Sequence, residues 1–179
     1  LLVRYTWPQI GDDTFIFLRY AERLAVGDPT FSDGGPAVEG YSSPLWAWML
    51  VLGVWLGAPL VGFAKALGVL WGALAVAAVV ELGRSLGLTP GRNALAGSLF
   101  AATAGLLFWA PSGMETPLVA ALVAWTAAGL ADGSPGGRNR WVAGAACLGV
   151  ARPEGPGLVV VALVLAAWRQ GRLPRPVAG

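Results

Sequence analysis

Six apolar runs follow one another from Leu45 to Trp168, and arginines cluster in alternate gaps between them. The runs are Leu45–Leu56, Leu60–Leu82, Ala94–Ala110, Pro117–Ala131, Trp141–Val150 and Gly157–Trp168. Arg84 and Arg92 flank one connection, Arg138 and Arg140 mark another, and Arg169, Arg172 and Arg175 follow the last run. In a membrane, clustered arginines stay on the cytoplasmic side, which puts all three groups on one face. The segments Ser112–Thr116 and Arg152–Gly155 then emerge on the other.

That parity constrains the first run. If Leu45–Leu56 crossed a bilayer, every later loop would invert and all three arginine clusters would lie outside. The run is short, follows Pro44 and carries Trp46, Trp48 and Trp55, residues that favour the interface. It is therefore predicted to be an in-plane, juxtamembrane helix on the outer side. Five crossings remain, at about 62–83, 93–111, 115–131, 140–152 and 155–169. Several runs are shorter than the roughly 20 residues that span hydrocarbon, so flanking residues must extend them. Gly68, Gly72, Ala75 and Ala78, and again Gly97, Ala101 and Gly105, recur at spacings that let helices approach closely. The expected fold class is an all-α polytopic membrane protein.

Composition agrees. The chain is 56% hydrophobic and 12% charged, where soluble domains carry about 25% charge. A net charge of +2, with no two basic residues adjacent in sequence, gives no nucleic-acid surface. Histidine is absent and Cys147 is the single cysteine, so acid–base or metal chemistry falls to Asp, Glu, Tyr, Arg or Lys.

Six of the ten acids lie between Asp12 and Trp46, in DDTFIFLRYAERLAVGDPTFSDGGPAVEGYSSPLW. One short helix fits there, from about Thr14 to Val26. Asp12 or Asp13 can cap it, and Gly27 before Asp-Pro ends it. Phe15, Leu18 and Leu24 can face a membrane or protein surface, and Glu22 can pair with Arg19 or Arg23. Residues 1–43 carry three arginines against six acids, which suits the outer side.

The candidate residues each read two ways. Asp12 and Asp13 are a helix cap with a solvated neighbour, or a carboxylate pair that accepts a proton or holds a divalent cation such as Mg or Mn. Glu39 is a loop acid, or a second carboxylate that returns near Asp12 to share a cavity. Tyr41 and the Ser42–Ser43 hydroxyls can contact a sugar. Glu115, Arg152 and Glu154 are boundary charges with an internal Arg152–Glu154 pair, or binding groups on the same side as the acidic loop. The planar fork of Arg152 matches phosphate oxygens. Lys65 and Glu81 read as snorkelling side chains. Trp7 and Trp46 lie close enough in sequence to the acids to serve as sugar platforms.

The series DDTFIFLRYAERLAVGDP, VEGYSSPLW, SGMETPL and ARPEG resembles the GT-C superfamily of polyprenyl-phosphate-sugar-dependent glycosyltransferases. Within it, the likeness is to actinobacterial terminal arabinofuranosyltransferases and their relatives, over about residues 7–158. The resemblance implies a bacterial plasma-membrane enzyme of cell-wall synthesis with its active site outside the cytoplasm. It would move a pentose or hexose, arabinofuranose included, from a polyprenyl-phosphate donor to a glycan or protein acceptor, with inversion. By position, Asp12 would deprotonate the acceptor hydroxyl, Asp13 would support it or help hold a cation, and Glu39 would be the loop's second acid. The implied organisation is a helix tail at 1–4, an extracytoplasmic acidic loop with juxtamembrane helices at 5–59, and a helix bundle at 60–179. The family's later crossings and soluble C-terminal domain are expected to be missing from this piece.

Two other classes compete: a transporter or flippase fragment, whose polar groups would line a path to the inner face, and a non-catalytic membrane scaffold. An enzyme predicts Asp12, Glu39, Glu115 and Arg152 around one outward cavity.

Overall fold

The computed structural model describes residues 10–32, 35–36 and 40–169. Within them the protein is all-α, as expected. The helices are α1 (Asp12–Ala25), α2 (Pro44–Trp55), α3 (Leu60–Ser85), α4 (Pro90–Ala101), α5 (Ala104–Trp109), α6 (Thr116–Ala131), α7 (Pro135–Ala151) and α8 (Gly155–Arg169), with a 3-10 turn at Ala110–Ser112. The expected tail at 1–4, Trp7, Glu39, Arg172 and Arg175 lie outside the described residues.

Local chemistry sets the boundaries. Neither aspartate caps α1. Gly11 holds the N-cap position in extended conformation, and Asp12 and Asp13 occupy the first turn, where the helix dipole favours negative charge. Gly27 takes the left-handed conformation (φ 80°) that ends α1, and the Gly27 and Asp28 amides return to Leu24 and Arg23. Beyond it Arg23 closes on Asp28 and also donates to the Thr30 hydroxyl at 2.9 Å. Arg19 pairs with Glu22 at 3.7 Å, as the spacing suggests. Ser43 caps α2, accepting from the Trp46 amide at 3.4 Å, with Pro44 in the first turn.

The bundle centres on α3, whose 26 residues extend about 39 Å at 1.5 Å per residue. Its small face is buried as anticipated: Gly68, Gly72, Ala75 and Ala78 are all interior. A Cβ on Gly68 would overlap the Ala110 carbonyl, so α3 and the 3-10 turn touch backbone to backbone. α6 packs along α3, α7 along α6, and α8 against α7. The second small-residue series is only half used. Gly97 faces Val80, whereas Gly105 has open space around it, because the chain turns by 50° between α4 and the following helix. At that bend the Thr103 hydroxyl donates to the Phe100 carbonyl at 2.8 Å and accepts the Leu106 amide at 3.3 Å.

α2 is apolar on every side. Trp46, Ala47, Leu50 and Val51 are buried in a cluster with Phe17, Leu18 and Ala21 of α1, Ala64 of α3, Leu118 and Leu122 of α6 and Leu148 of α7. Trp48, Leu52 and Trp55 stay exposed on its outer face. Of the α1 residues expected at a surface, Phe15 is exposed and Leu18 is buried. The Trp55 indole donates to the Ala25 carbonyl at 3.1 Å, tying α2 to the end of α1.

By length and composition α3 alone could cross a membrane among the described residues, or α3 and the bent stretch Pro90–Ser112 if that pair counts as one span. Thr116–Ala131 and Gly155–Leu165 are apolar but shorter, so five full crossings do not follow from helix length. The charged residues nevertheless collect at the two ends of α3. At the far end Arg140 bridges Glu81, at 2.7 Å, and Asp132, while Arg84 reaches Glu81 at 3.4 Å. Glu81 is therefore held in ion pairs. These contacts bring Arg84 and Arg140 to the same end, as the alternation of the runs required.

Candidate functional site

The near end is organised by the turn between α5 and α6. Gly113 sits there at φ 83°, and a Cβ would come within 2.8 Å of Thr14 Cγ2, so both conformation and space call for glycine. The Ser112 hydroxyl donates to the Trp109 carbonyl at 2.8 Å and accepts the Met114 amide at 3.2 Å. The start of α1 hooks onto this turn: the Thr14 hydroxyl donates to the Ser112 carbonyl at 3.0 Å, and the Gly11 amide reaches it at 3.4 Å. The start of α2 does the same through the Trp46 indole N–H, 3.2 Å from the Gly113 carbonyl.

Trp46 is thus a structural tie. Its ring is fully enclosed, so the expectation that it offers a stacking face to a sugar is corrected. Sequence alone could not separate the two roles, because an indole N–H needs a partner equally at an interface or in a core.

Glu115 and Arg152 meet next to the turn. Glu115 is 1% exposed, and its Oε1 accepts from Arg152 Nη1 at 2.6 Å. Arg152 follows the last residue of α7 in extended backbone, so its side chain can reach back across the end of α6. Its Nε and Nη2 donate to the two oxygens of Glu154 at 3.1 and 3.2 Å. The internal Arg152–Glu154 pairing is therefore present, joined by a second, buried carboxylate. These hydrogen bonds, and the charge of both acids, raise the Arg152 pKa above its ordinary value, and the hydrogen bond to Arg152 leads in lowering that of Glu154. Oε2 of Glu115 is buried without a hydrogen-bond partner among the described residues.

A cavity of about 600 Å³ opens beside this cluster, lined by Tyr41, Ser42, Pro44, Arg152, Pro153 and Pro156, among others. A smaller one of about 220 Å³ is lined by Asp13, Phe17, Gly40, Ser42 and Met114. Gly40 and Ser42 belong to both, so Asp13 and Arg152 flank the same short segment. Asp12 is exposed next to Asp13, and neither aspartate has a hydrogen-bond or ion-pair partner among the described residues. No group of three or more acidic, thiol or imidazole side chains converges among those residues.

Lys65 was expected to snorkel. It is 5% exposed and faces the protein interior, beside Ala64, which approaches Gly113, and one turn from Gly68, which touches Ala110. Its burial was readable: Lys65 lies three residues before Gly68 and seven before Gly72, on the small face that packs.

The arrangement can do two things chemically. Arg152, paired with Glu115 and Glu154, stands in the wall of a cavity bordered by hydroxyl groups, which suits a polar, hydroxyl-bearing ligand. Asp13 and Asp12 present unengaged carboxylates close by, which suits proton acceptance. No family model, curated protein or solved structure matches the chain.

Proposed function

We propose that this chain is part of a multi-pass bacterial membrane glycosyltransferase of the GT-C type, which transfers a sugar from a polyprenyl-phosphate donor to a glycan or protein acceptor outside the cytoplasm. The observation that carries the reading is the meeting of the acidic start of α1, the Tyr41–Ser42 segment and Arg152 around adjoining cavities at one end of the bundle. The near-end groups come from segments far apart in sequence, Glu115 and Arg152 alone being 37 positions apart, which the family pattern predicts and a merely solvated loop does not.

Membrane residence has its own support. Only 33% of the most apolar window of α3 is buried inside the protein, and Leu70, Leu99, Val123 and Val160 are exposed. Such a surface is stable in hydrocarbon and a liability in water. Lys65 and Glu81 are 16 positions apart, about 24 Å along the helix axis, close to the thickness of a hydrocarbon layer.

In the reaction the acceptor oxygen bonds to the anomeric carbon as its proton passes to the Asp12 carboxylate, with Asp13 beside it on the pocket wall. The bond from that carbon to the phosphate oxygen breaks, and the leaving lipid phosphate keeps the electron pair. Arg152 offsets its charge from the larger cavity. Tyr41 and Ser42 lie between the two and would orient the sugar hydroxyls.

A transporter would need polar groups between the two ends of the bundle, yet the buried face of α3 there carries Gly68, Gly72, Ala75 and Ala78. The test is binding and turnover with a panel of polyprenyl-phosphoryl pentoses and hexoses, using the full-length protein in nanodiscs. Asp12→Asn should bind donor and lose turnover, and Arg152→Ala should lose donor binding. Near-normal turnover by Asp12→Asn would sink the assignment.

A further inference from the structure

We infer that the Glu154 side chain occupies the phosphate seat of Arg152 and swings away when a phosphate-bearing ligand enters, while Glu115 keeps the guanidinium in place. This rests on the reading that the larger cavity takes a phosphate ester.

The two carboxylates on Arg152 are unlike. Glu115 is buried to 99% of its surface and bonds at 2.6 Å. The Glu154 side chain is 64% exposed, and its bonds are 3.1 and 3.2 Å, long for a charge-assisted pair. Glu154 holds the Nε–Nη2 edge, which phosphate oxygens engage side by side in the same way. One guanidinium between two carboxylates also leaves the cluster with a net negative charge. A second anion is repelled until one carboxylate leaves, and the exposed one leaves at lower cost, because solvent-exposed ion pairs contribute little.

The exchange requires no backbone movement. Gly155 packs so tightly on the Leu148 carbonyl that even a Cβ would overlap it, and Pro153 and Pro156 stiffen the turn on both sides. The Glu154 side chain alone rotates, a motion of picoseconds to nanoseconds for an exposed residue. Its carboxylate has a second resting place, since Glu154 directly precedes α8 and a helix N-terminus favours negative charge. Glu154 thereby acts as a built-in competitor, and a ligand must offer Arg152 more than a single carboxylate does. The leaving lipid phosphate, a dianionic monoester, meets that demand better than the monoanionic phosphodiesters of the donor and of bilayer headgroups, so the seat is taken most firmly as the donor bond breaks.

The experiment measures binding of decaprenyl phosphate, and separately of inorganic phosphate, to the full-length protein in phosphatidylcholine nanodiscs. Glu154→Gln should bind decaprenyl phosphate about three-fold tighter than wild type, the release expected from an exposed competing pair. Arg152→Ala should bind roughly ten-fold more weakly, the loss expected when a charged hydrogen-bond donor is removed. A gain for both probes assigns the seat to the phosphate group alone, and a gain for the lipid alone assigns it to a lipid headgroup; either supports the inference. Equal or weaker binding by Glu154→Gln, with Arg152→Ala still impaired, overturns the competitor role and leaves the glycosyltransferase reading standing. Absence of binding in every variant overturns both. Glu154 is exposed, so its conservative variant should fold, and an unchanged unfolding temperature confirms that.

Discussion

Nη1 of Arg152 lies 2.6 Å from Oε1 of Glu115, across 37 positions of sequence. The contact joins the residue after α7 to the residue before α6, and so closes the near end of two antiparallel helices. The acid is enclosed and the base is one-third exposed, so the two partners are not equivalent. Removing either has a different consequence.

Arg152→Ala should destabilise the protein more than Glu115→Gln. The first leaves a buried carboxylate uncompensated, for which about 3 kcal/mol is typical. The second leaves an arginine that still reaches solvent and Glu154, at roughly 1 kcal/mol. The check is the order of thermal unfolding midpoints of the two variants in one detergent.

Gly113→Ala should cost more than Gly27→Ala. Both positions have left-handed backbone, with φ of 83° and 80°, a strain of about 1–2 kcal/mol for any other residue. Gly27 has nothing within 4 Å of an added Cβ, whereas at Gly113 the methyl meets Thr14. The excess loss at Gly113 measures how tightly α1 is hooked to the turn. Equal losses would mean that the hook is loose.

Trp46→Phe should cost roughly 1–3 kcal/mol, because the Gly113 carbonyl loses its donor while most of the packing remains. Donor-sugar affinity should stay unchanged among molecules that remain folded. A selective loss of affinity would restore the platform role.

Asp12→Asn and Asp13→Asn should leave stability within about 0.5 kcal/mol of wild type, as for exposed residues without partners. Turnover is the quantity expected to fall, most steeply for Asp12. A variant that lost stability and turnover together would argue for a capping role instead.

Glu154 should titrate below its ordinary value of 4.5 because the hydrogen bond from Arg152 favours its charged form. Its folded pKa is depressed, so the pair contributes above pH 4.5 and is lost as pH falls through the lower, folded value. Carboxyl NMR should give a midpoint under 4.5, and Arg152→Ala should raise it toward that value.

How much of this could be read from residues alone depends on the kind of signal. The small face of α3, the Arg19–Glu22 pair and the Gly27 stop were legible because each is set by local spacing or backbone conformation. The side of the bundle on which Glu115 and Arg152 emerge was legible from arginine parity. Their bond was not, since parity gives a side and never a partner. Trp46 and the α1 cap were misassigned for a related reason: tryptophan and aspartate each have two chemically satisfied positions, and tertiary contacts choose between them. The ion pairs of Arg140 with Glu81 and Asp132 were missed because snorkelling explains each charge singly. Glu39 falls outside the described residues, so its relation to Asp12 stays with the sequence reading.

Thr103 gives the bend before the site a different meaning. A break between two helices normally leaves a carbonyl on one side and an amide on the other to find separate partners. Here one hydroxyl serves both, bonding Phe100 behind it and Leu106 ahead of it. Such a break behaves as a welded corner and not as a joint. With Gly97 seated against Val80 and Gly68 against Ala110, the corner is braced on both arms. The turn bearing Ser112 and Gly113 is therefore mounted like a bracket on α3, and the acids and arginine gathered around it inherit that rigidity.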